Sequence, residues 1–255
     1  MGREEQIINE RKRKIEELKK SDIEIYPSKF EKKNTVGSCL KSKMNTKVET
    51  AGRLMSRRDL GKISFGKVRD STGDIQIVLQ DEKTSKKVFD FFLKYLDIGD
   101  FIGVQGEIFK TKTGEISILV EKLTLLSKSI LPLPEKFHGL QDDEDRLRKR
   151  YLDIILNPEI RELFVKKSIF WRTIRNFMTE KGFLEVETPA LENTAGGASA
   201  TPFKTHHNAL DIDVYLRISM GELWQKKLMV AGYDKTFEIG RQFRNEGMDM
   251  EHLQD

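Results

Sequence analysis

The chain has a single cysteine, Cys39, among 255 residues. That scarcity excludes an internal disulfide and any zinc cluster built from cysteines. No apolar run approaches the ~20 residues needed to cross a bilayer, and Met1-Gly2-Arg3-Glu4-Glu5 is not a secretory signal. Only four histidines occur, two of them adjacent as His206-His207. Zinc takes three or four protein ligands, and no cysteine or third histidine supports this pair, so no metal site is expected in the chain. The expectation is a cytoplasmic protein without a membrane segment.

What is present is charge. Charged residues make up 34% and hydrophobic residues 38% of the chain, a soluble globular composition. The formal charge of +4 is compatible with an RNA partner and equally with an ordinary soluble protein. At 255 residues the chain exceeds the usual single-domain size, so two domains are expected.

Residues 1–47 read as a helical extension, with a charged helix over about 4–20 carrying a thin stripe of Ile8, Ile15 and Leu18. Such a helix either lies on its neighbour or forms a basic arm toward RNA. Residues 48–127 read as a small barrel, with period-two runs at 48–57, 63–70, 75–80, 101–110 and 115–126. Ser71-Thr72-Gly73-Asp74 and Thr111-Lys112-Thr113-Gly114 are hairpin turns. Between the third and fourth runs, 85–96 has a helical pattern through Val88, Phe91, Phe92 and Tyr95. Three strands, a helix and two strands is the order of an OB-fold, a frequent binder of single-stranded nucleic acid.

A linker over 128–156 is expected, marked by Pro132, Pro134 and the acidic run Asp142-Asp143-Glu144-Asp145. Asn157-Pro158-Glu159 then starts a helix: a side-chain cap, a proline in the first turn and an acid against the positive end of the dipole. The helix runs to about Lys181, Gly182 ends it, and a strand over 183–188 leads into Pro189. Near the end, Phe237-Glu238-Ile239-Gly240-Arg241-Gln242-Phe243-Arg244-Asn245-Glu246-Gly247 reads as a strand running into a loop. At period two, Arg244 and Glu246 project together. They offer a planar cation suited to phosphate beside a carboxylate suited to an exocyclic amine.

In that context the Arg244–Glu246 segment resembles the second signature motif of the class II aminoacyl-tRNA synthetases. The segments Gly196–Phe203, Thr205–Asp211 and Tyr215–Ile218 resemble the lysyl-tRNA synthetase family in particular, as do Pro132–Leu140, Arg150–Asp153 and Asn157–Glu159. The resemblance spans nearly the whole chain. It implies an α+β protein: an OB-fold anticodon-binding barrel over 48–127, then the first part of an antiparallel class II catalytic domain over 157–255, with motifs 1 and 2. The helix and strand after Asn157 would be motif 1, the dimer interface, so a homodimer is implied.

The implied activity is lysine–tRNA ligation from L-lysine, ATP and lysine tRNA. The implied catalytic residue is Arg244, on the α-phosphate and the lysine carboxylate. Glu246 would hold the adenine amino group and His252 the nucleotide. Gly197 and Glu222 would join Arg244 in binding lysine, Glu222 at the α-amino group. Arg57, Phe65, Gln76 and Glu115 match the family's anticodon-reading positions, Phe65 as a stacking ring. Magnesium would accompany ATP, on phosphates and on carboxylates that the family carries later in its chain.

Two departures stand out. After His252 the usual asparagine and proline are missing, and the chain stops at Asp255, inside the second motif, so a fragment of a longer protein is expected. Three alternatives remain at this stage: a ligase for aspartate or asparagine, a paralogue that lysylates a translation factor, and a non-catalytic RNA-binding protein. The paralogues lack the barrel, which argues against the second of these.

Overall fold

The computed structural model describes residues 2–134 and 142–247. Two compact units divide between Leu152 and Asp153.

The first unit is built on a closed barrel. Before it come α1 (Arg3–Lys20) and α2 (Val36–Leu40); the barrel then follows as β1 (Lys47–Leu60), β2 (Ile63–Arg69), β3 (Asp74–Gln80), α3 (Lys86–Tyr95), β4 (Phe101–Lys110) and β5 (Ile116–Ser127). Strand order around the barrel is β1-β2-β3-β5-β4. β3 and β5 pair in parallel and the other neighbours pair antiparallel. This is the OB-fold order expected from the alternating runs.

Closure follows from β1, which pairs through Lys47–Arg53 with β4 and through Arg53–Leu60 with β2, with a bulge at Leu54/Ser56. Bulges add local twist, which lets one strand serve both sides. Gly52 is required there, because a Cβ would run into the Arg69 carbonyl. Alternate residues of β1 are buried up to Leu54, and beyond it the strand overhangs the barrel.

The barrel interior is aliphatic, with Leu54, Ile77, Leu79, Ile102, Ile108 and Ile118 almost fully buried. α3 closes one end with Phe89 and Phe92 buried, while Val88, Phe91 and Tyr95 are only half-buried. Phe92 is buried as the expected stripe requires, and Phe89, absent from that stripe, turns inward with it.

α1 lies on this unit. Ile15 and Leu18 are buried as expected, and with them Arg11. Arg11 donates to the carbonyls of Ile98, Ser129 and Leu131 at 2.9–3.0 Å. Lys14 reaches Asp97 at 2.7 Å. Two of the helix's cations therefore face protein, which favours the docked helix over a free basic arm.

The expected linker over 128–156 carries structure at its described residues, 128–134 and 142–156. Lys128 has no exposed side-chain surface and bridges Asp97 and Asp100 at 2.5 and 2.6 Å. Further on lie α4 (Asp143–Arg148), capped by Asp142, and α5 (Arg150–Leu156).

The second unit contains α6 (Pro158–Glu180), β6 (Leu184–Glu185), β7 (Leu191–Glu192), β8 (Lys204–His207), β9 (Ile212–Leu216), α7 (Glu222–Val230) and β10 (Thr236–Phe237). β7-β9-β8 form an antiparallel sheet and β10 pairs with β6 in parallel. Three expectations are corrected here.

Asn157 does not cap α6 with its side chain; its amide donates instead to Asp153 at 2.6 Å, one turn back in α5. The strand expected over 183–188 is only two residues long, because the Thr188 amide leaves the ladder to donate to the Glu238 side chain at 3.3 Å. The strand expected to run through 237–247 is assigned only at Thr236–Phe237. Beyond it the chain stays extended through two backbone bonds, Phe243 to the Arg217 carbonyl and Asn245 to the Thr201 carbonyl.

Candidate nucleic-acid interface and substrate pocket

A groove of about 770 Å³ opens on the outer face of the barrel, between the β1–β2 overhang and the β4–β5 hairpin. Arg57, Phe65, Gln76 and Glu115 all line it. Pleating explains why: in β2, Ser64, Gly66 and Val68 point inward, so Phe65 points out. Phe65 is half-buried and outside the core cluster, so the ring is not a core residue.

The four positions are not equivalent. Arg57 donates to the carbonyls of Phe92, Leu93 and Leu96 at 2.7–3.0 Å, pairs with Asp59, and stacks over the Phe92 ring. Its fork is spent on the C-terminal carbonyls of α3, which have no helical partners of their own. Gln76 donates its amide to Ser117 at 2.9 Å, and Glu115 is exposed.

Sequence reasoning missed two features. Phe109 on β4 is a second half-buried aromatic on the groove, detectable as an outward period-two position. Arg58, Lys67, Lys110 and Lys112 supply cations with no acidic partner among the described residues, while Glu115 is the only acid there that lines the groove. An apolar floor with aromatic rings and a basic rim suits single-stranded nucleic acid: bases stack and phosphates pair.

In the second unit, Gly197 and Glu222 meet. Gly197 has φ +89°, and a Cβ there would lie 3.0 Å from Glu222 Cβ and 3.3 Å from its Oε2. Gly221, itself left-handed at φ +72°, turns the chain so that Glu222 opens α7. An acid in the first turn suits the positive end of the helix. Among the described residues Glu222 pairs only with Lys226 on its own helix, at 3.0 Å, and it remains exposed.

Arg244 is half-buried, and its Nε is buried with no hydrogen-bond partner among the described residues. A buried guanidinium N–H without an acceptor is costly, and an anionic ligand would satisfy it. Glu246 instead accepts from the Thr201 amide at 3.0 Å. His252 lies outside the described residues.

Behind Arg244 the chain is held by an ion pair absent from the expected sites. Arg217 donates to Glu238 at 2.5 Å, to Thr188 at 3.1 Å and to the Arg241 carbonyl at 2.7 Å. Burial pushes the Glu238 carboxyl up, but hydrogen bonds from Thr188 and Arg217 outweigh it and hold the group below its ordinary range. The sequence signal was a charge inside each of two apolar runs, Leu216-Arg217-Ile218 and Phe237-Glu238-Ile239. No group of three or more His, Cys, Asp and Glu side chains poised for a metal occurs among the described residues. His206 is engaged with Asp213 at 3.2 Å.

Comparison with known families agrees with both units. Residues 48–126 match the family described as an OB-fold nucleic acid binding domain, and residues 142–254 match tRNA synthetases class II (D, K and N). The chain is thus a class II tRNA synthetase chain with its nucleic-acid-binding barrel.

It is 48% identical over 98% of its length to the lysine–tRNA ligase of Pelotomaculum thermopropionicum, and 46% over 97% to that of Fusobacterium nucleatum. With the lysine–tRNA ligase of a Thermoanaerobacter strain it shares 50% identity over 97% of the chain. In each case the match covers 50% of the relative, so the chain spans about half the length of these curated relatives. Along nearly its whole length the chain is thus similar to about half of a lysine–tRNA ligase.

Proposed function

We propose that the whole protein is a lysine–tRNA ligase that uses ATP. A lysine carboxylate oxygen attacks the α-phosphorus, pyrophosphate leaves, and the 3′-terminal ribose hydroxyl of lysine tRNA then takes the lysyl group and releases AMP. The carrying observation is similarity along 97–98% of the chain to proteins named lysine–tRNA ligase. No protein nucleophile is needed; catalysis rests on alignment and on charge stabilisation.

Geometry supports particular roles. Arg244, whose buried Nε has no partner among the described residues, is the cation for the α-phosphate and the lysine carboxylate. Glu222, against Gly197, takes the α-amino group of lysine. Glu246 is assigned the adenine amine and exchanges its Thr201 contact for it. His252 keeps its expected nucleotide role. Magnesium travels with ATP, and no described residue is assigned to it. Phe65, Gln76 and Glu115 read the anticodon, with Arg57 shaping the groove.

Two copies pair through α6, none of whose residues is buried and whose Leu163, Phe164, Phe170 and Phe177 are 47–59% exposed. The absence of any described helix long and apolar enough to cross a membrane is compatible with a cytoplasmic enzyme.

The test is exchange of labelled pyrophosphate into ATP by the whole protein. Exchange should require lysine. Equal exchange with aspartate or asparagine would transfer the chain to another ligase of its class.

A further inference from the structure

We propose that Ser117 is a positioning residue that sets which edge of the Gln76 amide faces the groove, and so makes this position select uracil over cytosine. The proposal rests on the anticodon reading of the groove. A glutamine amide can present either its carbonyl oxygen or its NH2 group, and the two select opposite partners. Something must hold the amide in one orientation if the position is to discriminate.

The structure contains that device. Ser117 faces Gln76 in the β3–β5 register and is fully buried, so water does not complete its bonding. Its hydroxyl has one hydrogen, which it donates to the Glu115 carbonyl at 3.3 Å. What remains toward Gln76 is a lone pair. Gln76 meets it with a donor: its Nε2 lies 2.9 Å from Ser117 Oγ. Gln76 lines the groove, and its carbonyl oxygen has no protein partner among the described residues, which leaves that oxygen to a ligand. A lone acceptor there matches uracil N3–H. Cytosine carries a lone pair at the same ring position, so two acceptors would oppose each other.

Removing the hydroxyl releases the amide, which can then turn its NH2 group toward cytosine. Ser117 therefore acts on discrimination, through Gln76, more than on affinity. Ser117→Thr keeps an oxygen with one hydrogen and should keep the orientation. Gln76→Glu offers acceptors only and should also keep it.

The experiment measures binding of the 255-residue chain to an anticodon stem-loop with three uridines, and to loops with cytidine at one position in turn. Wild type should prefer uridine at one position by roughly tenfold, the worth of about one good hydrogen bond. In Ser117→Ala that preference should fall to within about threefold, chiefly because the cytidine loop binds better. Ser117→Thr and Gln76→Glu should retain the wild-type ratio even where overall affinity drops.

If Ser117→Ala keeps the full preference, or weakens both loops equally, the residue is only structural and the proposal is wrong. If Gln76→Glu loses the preference, the amide reads with its NH2 group and the proposal is also wrong. If wild type and Phe65→Ala bind every loop alike, the anticodon reading itself fails, an outcome distinct from the first two.

Discussion

Arg217 and Glu238 form an ion pair at 2.5 Å, with only 7% and 4% of their side chains exposed. The pair joins the end of β9 to the segment following β10, and Arg217 also accepts the Phe243 amide on its carbonyl. Arg244 is thus aimed by a neighbour whose backbone and side chain both hold the same extended segment.

Breaking that pair leaves one buried charge uncompensated. Glu238→Ala should therefore destabilise the second unit by about 3–5 kcal/mol, more than an exposed pair such as Lys226–Glu222 would cost. Denaturant unfolding of the two alanine variants, Glu238→Ala and Glu222→Ala, would check the contrast.

Asp70 supplies a pH dependence to the first unit. Burial raises its pKa, but Lys32, Thr72 and the Val36 amide more than compensate, and the net shift is strongly downward. A carboxyl whose folded pKa lies below its unfolded value stabilises the fold above the ordinary carboxylate range, near pH 4. That contribution is lost as pH falls below it. Asp70→Asn should lower stability at pH 7 by about 1.5–3 kcal/mol, as for hydrogen bonds to a charged group, and flatten the acid limb. Melting temperature against pH reads both effects.

Arg57 should behave as a structural residue. Its guanidinium holds three carbonyls at the end of α3. Arg57→Ala should lower barrel stability by about 2 kcal/mol or more, with any loss of RNA binding following from that. Unchanged melting with weakened binding would return Arg57 to the anticodon set.

Much of this was legible in the sequence. Alternation exposes strands wherever one face is buried, so the order of barrel elements could be read directly, whereas the stacking role of Phe65 came from the resemblance. Proline and an acid at Pro158-Glu159 located the start of α6. What could not be read was which side chains meet across distant segments. Arg57 pairs with Gly66 on the inward-facing side of β1, and only folding brings α3's carbonyls to its guanidinium. The Arg217–Glu238 pair spans 21 positions, and no local period reveals it. The strand expected through 237–247 shrank to Thr236–Phe237 because pairing, rather than propensity, decides strand length.

Gly197→Ala should raise the lysine KM of the whole protein. Its φ of +89° is unfavourable for any residue with a Cβ, and the new carbon would press on Glu222. Strain of about 1–3 kcal/mol is expected, and it would displace the acid assigned to the substrate amine. Lysine dependence of pyrophosphate exchange checks it, with the KM for ATP as the internal control.

The most direct test of the account compares two assays on Phe65→Ala in the whole protein: lysine-dependent pyrophosphate exchange and charging of lysine tRNA. Losing a stacking ring on the barrel should raise the tRNA KM by about 5- to 150-fold, equivalent to roughly 1–3 kcal/mol. Exchange should stay within about twofold of wild type, because adenylate formation is assigned to the second unit and no transition-state contact is removed. A parallel fall in both assays, or an unchanged tRNA KM, would contradict the account.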